Sequence, residues 1–281
     1  MSLPKPYATD SKATASPVNE QTESLPKINV IDSPLTALSF HEQIELMLRW
    51  AKQNLSKVVC VANVHMLVEA YWHSDLGSVL KSADLVTPDG MPLVWMMKLL
   101  GARAQDRVAG LDILLALCQG AAYRDSQIFF VGSTSETLHR MRVRLAHDFP
   151  KLQIAGMEPL PFRPLTPSED EALIKKVNQS GAGLVMVCLG CPKQERWMAQ
   201  HKDKIQAVMI GLGGAFPVYA GIQRRAPLIV RRSGFEWLYR LIQEPRRLWG
   251  RYRKTIPPFI WLALKQLLRR QGWTRGFGVL P

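Results

Sequence analysis

The sequence predicts an α/β fold: a Rossmann-like, three-layer body built on a mostly parallel sheet, with a basic helical appendage at the C-terminal end. Three observations lead there. Short apolar runs recur, each passing through a polar or glycine-rich turn into a helical segment, in units of roughly 25 to 50 residues. Several runs, such as 58–62 and 184–189, are apolar without alternation, as expected when both faces of a parallel sheet are covered. The charge is also uneven. The chain of 281 residues carries +13, and residues 224–281 hold fourteen Lys/Arg against two acids, Glu236 and Glu244, for +12, so the first 223 are nearly neutral.

The elements follow in order. Residues 1–26 are rich in Pro, Ser, Thr and Ala, lack the apolar core of a signal peptide and read as a disordered lead-in. The body spans 27–223 and the appendage 224–281. Residues 28–31 suit a short strand. Residues 39–53 suit an amphipathic helix with Ile44, Met47 and Leu48 on one face. The strand 58–62 ends at Asn63, followed by a helix through Met66, Leu67 and Ala70. Leu85-Val86 ends at Pro88, and Asp89-Gly90 opens a helix over 91–100. Asn63 and Asp89 thus fall on one edge of one sheet. Beyond Arg107-Val-Ala-Gly-Leu-Asp112 comes an apolar helix over 113–118.

The strand 127–131 runs into Gly132-Ser-Thr-Ser and a helix over 136–149. That turn suits either a phosphate held by backbone N–H groups or a plain N-cap. A strand at 152–155, a Pro-rich loop at 159–167 and a helix over 168–178 follow, the helix opened by a Ser168–Glu171 capping box. The strand 184–189 leads through Gly190-Cys-Pro-Lys-Gln-Glu195 to a helix through Trp197. The strand 207–210 leads to Gly211-Leu-Gly-Gly214. With Phe216 at its end this last turn is no G-x-G-x-x-G, so dinucleotide chemistry has weak support.

Two chemical features stand out. Asp89 places a carboxylate at the carboxyl edge of a sheet, where open α/β folds bind ligands; an N-cap is the alternative reading. Asp112, near a helix start, complements the macrodipole. The appendage interleaves arginine with Trp, Tyr, Phe and Leu, including an apolar helix over 259–268. That pattern suits a helix lying in an anionic membrane interface across 224–275. Packing on the body is the alternative, and nucleic acid is not expected. Such a tail could also fold over the sheet edge and deliver arginines to a diphosphate. There is no run of 18 apolar residues for a transmembrane helix. The four cysteines read as reduced thiols of a cytoplasmic protein, and Cys188-Leu-Gly-Cys191 has no second ligand pair to make a zinc site.

With these residues in view, the chain resembles the WecG/TagA/CpsF family of bacterial glycosyltransferases. The resemblance rests on Asn63, Thr87-Pro-Asp-Gly90, Arg107-Val-Ala-Gly-Leu-Asp112, Gly190-Cys-Pro-Lys-Gln-Glu-Arg-Trp197, Gly211-Leu-Gly-Gly214, Arg225-Ala-Pro227, and Glu236-Trp-Leu-Tyr-Arg240 with Glu244-Pro-Arg246. It implies inverting transfer of a sugar, often N-acetylmannosamine, from a UDP donor to a polyprenyl-diphosphate-linked acceptor, by a peripheral protein of the cytoplasmic membrane face. It implies Asp89 as general base and Asn63 as a holder of sugar or acceptor. For substrate binding it points to Arg107, Asp112, Gly132, Gln194, Glu195, Gly213 and Gly214. Arg240, Arg246 and Arg247 would stabilise the leaving UDP. No Asp-x-Asp occurs, which agrees with a reaction needing no metal or other cofactor. The chain departs from the family at Val61-Ala-Asn63, where a hydroxyl residue is often found; glucose or N-acetylglucosamine chemistry is then an alternative. A non-catalytic subunit supporting a partner transferase is the competing reading, and the oligomeric state, a homo-oligomer included, stays open.

Overall fold

A computed structural model of the chain describes residues 25–275; the lead-in expected over 1–26 lies almost wholly outside them. The chain begins with an antiparallel hairpin, β1 (Lys27–Val30) and β2 (Ser33–Thr36). Residues 28–31 therefore supply a hairpin strand outside the main sheet. Its two-residue turn, Ile31-Asp32, has φ of 48° and 59°, the positive values that a tight hairpin demands. Helix α1 (Phe40–Lys52) is capped by Ser39 in a box with Glu42.

Then come β3 (Lys57–Ala62), α2 (Val64–Trp72), α3 (Ser74–Ser82), β4 (Leu85–Pro88), α4 (Met91–Leu99), α5 (Gly110–Tyr123), β5 (Gln127–Gly132) and α6 (Ser135–Asp148). The rest of the body is β6 (Gln153–Glu158), α7 (Pro167–Gln179), β7 (Leu184–Cys188), α8 (Lys193–His201), β8 (Val208–Gly211) and α9 (Ala215–Tyr219). The capping box of α7 is Thr166 with Glu169, two residues earlier than Ser168–Glu171, because Pro167 occupies the first helical turn, where its missing N–H costs nothing.

Strands β3 to β8 form one parallel sheet in the order β4-β3-β8-β7-β5-β6. Two cores cover its faces. One gathers α2, α3 and α4 over Cys60, Val86 and Met209; the other gathers α1, α5 and α6 over Val59, Phe130 and Ile210. All four strands β4, β3, β8 and β7 point their C-terminal ends at one edge.

The appendage closes over that edge as α10 (Leu228–Arg232), α11 (Glu236–Gln243) and α12 (Pro245–Arg275). The apolar stretch at 259–268 is the middle of a 31-residue helix that runs through Pro257 and Pro258. Those prolines remove two N–H donors, yet packing keeps the helix going. Phe259, Leu262 and Ala263 are buried in the core beside α2. The opposite face carries Trp249, Trp261 and Leu268, all exposed. Packing on the body and an exposed apolar face thus coexist in one helix.

Candidate active site

A cavity of about 730 Å³ opens where the appendage overhangs the sheet edge. Each wall follows from a strand end. β3 delivers Asn63, β4 delivers Asp89, the start of α8 beyond β7 delivers Gln194, and the turn after β8 delivers Gly213 and Gly214. Among the described residues seven arginines and four carboxylates line it, and six of those arginines come from beyond residue 223.

The two sheet-edge candidates divide the capping work unexpectedly. Asn63 caps α2: its Oδ1 accepts from the Met66 N–H at 3.1 Å. Asp89 does not cap α4. That position is Gly90, whose φ of 102° few other residues adopt, and no side chain caps the helix. The Asp89 N–H donates to the Ala62 carbonyl at 2.7 Å, which pins the residue beside β3 and leaves its carboxyl to the cavity. Asp89 is half-buried, and what surface it shows faces the cavity. Desolvation, reinforced by the Glu236 carboxylate, pushes its carboxyl up to about 6, against the pull of Arg240, Arg107 and the Gly110 N–H.

The other three lining carboxylates are committed to arginines. Glu236 takes Arg107 at 2.5 Å on one oxygen and Arg240 at 2.9 Å on the other, bridging body and appendage. Burial alone would raise Glu236, but Arg240 and Arg107 outweigh it and hold it below the usual range. Asp112 faces Arg107 at 3.4 Å, Arg231 at 3.8 Å and Arg225 in direct contact. Glu244 pairs with Arg247. Among the described residues Asp89 alone of the four makes no ion pair.

Gln194 lies under the β8 turn. Its Oε1 accepts from the Gly213 N–H at 3.2 Å, and its Nε2 donates to Glu195 at 2.8 Å. A Cβ on residue 213 would come within 2.6 Å of that Oε1, so a larger residue there would displace the Gln194 amide from this hydrogen bond. Glu195 itself is buried beneath the site, away from the cavity. Desolvation raises it to about 7 even though Gln194 donates to it, and its second oxygen has no hydrogen-bond partner. It accepts from Gln194, which lines the cavity, and does not line the cavity itself.

Asn63, Asp89, Arg107, Asp112, Gln194, Gly213, Gly214, Arg240 and Arg247 therefore meet in one cavity, and Gly132, Glu195 and Arg246 do not line it. Gly132 is a packing glycine: with φ of 89°, a Cβ there would come within 2.4 Å of the Cys188 carbonyl, and Thr134 caps the following helix. The turn at 132–135 is thus an N-cap, set apart from the cavity by β7. Arg246 is exposed on a different face of α12 from Arg247. Arg225, Arg231 and Glu236 were not singled out for roles from the sequence. The Arg225-Ala-Pro and Glu236-Trp-Leu-Tyr-Arg runs were the available signal, but only the folded-back appendage shows which side chains point inward.

Comparison with known proteins bears on this arrangement. The glycosyl transferase WecG/TagA/CpsF family matches residues 28–272. A Bacillus spizizenii protein is 32% identical over 246 residues, covering 87% of this chain and 91% of that protein. A Bacillus subtilis protein is 31% identical over 248 residues, 88% of this chain and 92% of that protein. A Staphylococcus aureus protein is 25% identical over 249 residues, 88% and 95% respectively. Each is named N-acetylglucosaminyldiphosphoundecaprenol N-acetyl-beta-D-mannosaminyltransferase. With the match spanning both the sheet edge and the appendage that closes over it, the chain belongs to the WecG/TagA/CpsF family of glycosyltransferases.

Proposed function

We propose that the chain transfers an N-acetylhexosamine, N-acetylmannosamine foremost, from a UDP-sugar to a sugar on a polyprenyl diphosphate, with inversion and without a metal. The observation that carries this reading is the single unpaired carboxyl, Asp89, in an arginine-lined cavity. The acceptor hydroxyl attacks the anomeric carbon while Asp89 takes its proton; the bond from that carbon to the UDP oxygen breaks on the opposite face. A direct displacement of this kind needs one base and inverts the centre. A value near 6 leaves Asp89 ionised at neutral pH and close enough to the working pH to accept a proton well. Negative charge grows on the leaving diphosphate. Arg107, Arg240 and Arg247 offer planar donors to phosphate oxygens, and stabilisation there is greatest in the transition state. Arginine supplies the charge that a divalent cation would otherwise bring. The relatives' names support the donor sugar and lipid-linked acceptor, each as printed for those proteins.

The appendage also supports a peripheral place on the inner membrane face. No helix among the described residues is long and apolar enough to cross a membrane, while Trp237, Trp249 and Trp261 lie exposed among arginines.

A UDP-release assay with a panel of UDP-sugars and a short-chain polyprenyl-diphosphate N-acetylglucosamine acceptor tests the reading. Acceptor-dependent release that survives EDTA and is lost in Asp89→Asn is the expected result. Release abolished by EDTA and restored by a divalent cation would overturn the metal-free part, and full activity in Asp89→Asn would overturn the base.

A further inference from the structure

The cavity is chemically two-ended. One end holds Asp89 and the arginines. The other runs between α4 and α12, lined by Trp95 and Leu99 from the first helix and by Ile256, Ile260, Leu264 and Leu267 from the second. The α4 pair is four residues apart and the α12 positions recur at four, four and three, one stripe per helix. Facing stripes of this kind usually close on each other as core. Here they do not: Trp95, Leu99, Ile260 and Leu264 remain 49%, 63%, 52% and 55% exposed. The Arg270 guanidinium, donating to the Leu99 carbonyl at 3.2 Å, ties the two helices together at the far end. An open apolar arm continuous with a cationic pocket fits a ligand that is anionic at one end and hydrocarbon at the other.

We infer that this arm seats the proximal isoprenoid units of the lipid-linked acceptor, so that the protein grips the chain next to its diphosphate. The inference rests on the proposed acceptor and adds its lipid subsite. The nine residues of α4 span roughly 13 Å. The hydrocarbon next to the diphosphate would follow α4 away from Asp89 toward the exposed apolar side of the appendage, where the remainder of a long chain could pass into a bilayer. Membrane contact alone would not require these side chains to line the same cavity as Asp89.

The test measures binding without turnover. Sugar-free prenyl diphosphates of increasing isoprene number, short enough to stay monomeric, are titrated into the full chain by calorimetry, beside inorganic diphosphate. Affinity should rise with chain length and then level off as the arm fills. Leu264→Trp and Leu99→Trp narrow the arm while keeping it apolar, and both sites are exposed enough to fold. Each should flatten that rise, weakening the longest analogue about tenfold, equivalent to about 1.4 kcal/mol. Equal affinity for prenyl diphosphates and inorganic diphosphate, or a chain-length dependence unmoved in both variants, would overturn the subsite. Failure of the transferase reading shows separately, as absence of UDP release in the turnover assay while the chain-length dependence of binding persists.

Discussion

Asp89 is held between opposing influences. Desolvation and Glu236 favour its proton; Arg240, Arg107 and the Gly110 N–H favour its charge. In the proposed role of base it works only when ionised, so kcat/KM should rise with pH to a plateau above about 6. Asp89→Asn should abolish that limb and lower kcat about 10²- to 10⁴-fold. Glu236→Gln removes the neighbouring negative charge and frees two arginines to act on Asp89. Both changes should move the acid limb to lower pH, and a pH–rate profile reads the shift. Glu195 makes a different case. Its folded value near 7 lies above the ordinary 4.5, so between those values the folded chain keeps a proton that the unfolded chain has released. Stability therefore falls as pH rises through that window, by an amount of order 3 kcal/mol. Glu195→Gln, neutral at every pH, should match the parent near pH 4 and exceed it in urea midpoint at pH 8.

Among the elements, α12 and the β1–β2 hairpin depend on each other. Ile31 is β-branched and sits at φ of 48°, a conformation such residues rarely adopt. Gln266 holds the turn from outside: its Oε1 accepts from the Ile31 N–H at 3.0 Å, and its Nε2 donates to the Asn29 carbonyl at 2.7 Å. Gln266→Ala should cost about 1 to 3 kcal/mol in denaturant unfolding, the loss of two hydrogen bonds next to a strained turn. The hairpin amides should show faster hydrogen exchange. The core contribution of Phe259 and Leu262 also means that the appendage is part of the body's fold. A chain cut after Gly221 would expose the α2 surface they cover, each side chain worth roughly 1.5–3 kcal/mol of burial, in addition to losing the arginines.

At the scale of the whole molecule, charge and apolar exposure point the same way. Residues 224–281 carry +12, and the exposed side of the appendage presents Trp237, Ile242, Trp249 and Trp261. Each cation near an anionic leaflet is worth about 1 kcal/mol and is screened within about 10 Å at 0.1 M salt. Co-sedimentation with vesicles should therefore need anionic lipid and weaken steeply with salt. The part remaining at high salt reports the tryptophans, and Trp249→Ala with Trp261→Ala should remove much of it.

The apolar runs and turn residues were enough to read the parallel sheet and the strand-end positions of Asn63 and Asp89, because buried parallel strands leave an unmistakable pattern of continuous Val, Ile and Leu. The basic, aromatic appendage was equally plain from composition. Its seating was not: whether α12 lies on lipid or on protein depends on what α2 leaves uncovered, and that surface exists only once the sheet has formed. The same limit explains the site. Gly132 and Gly213 look alike as turn glycines, yet one clears a carbonyl of β7 and the other makes room for Gln194. Asn63 and Asp89 look alike as caps, yet Gly90 frees Asp89 for the cavity. Which arginines converge was decided by Glu236, paired with Arg107, and by Asp112, paired with Arg225 and Arg231; these ion pairs span more than a hundred residues of chain, and such long-range pairing leaves no periodic trace in a sequence.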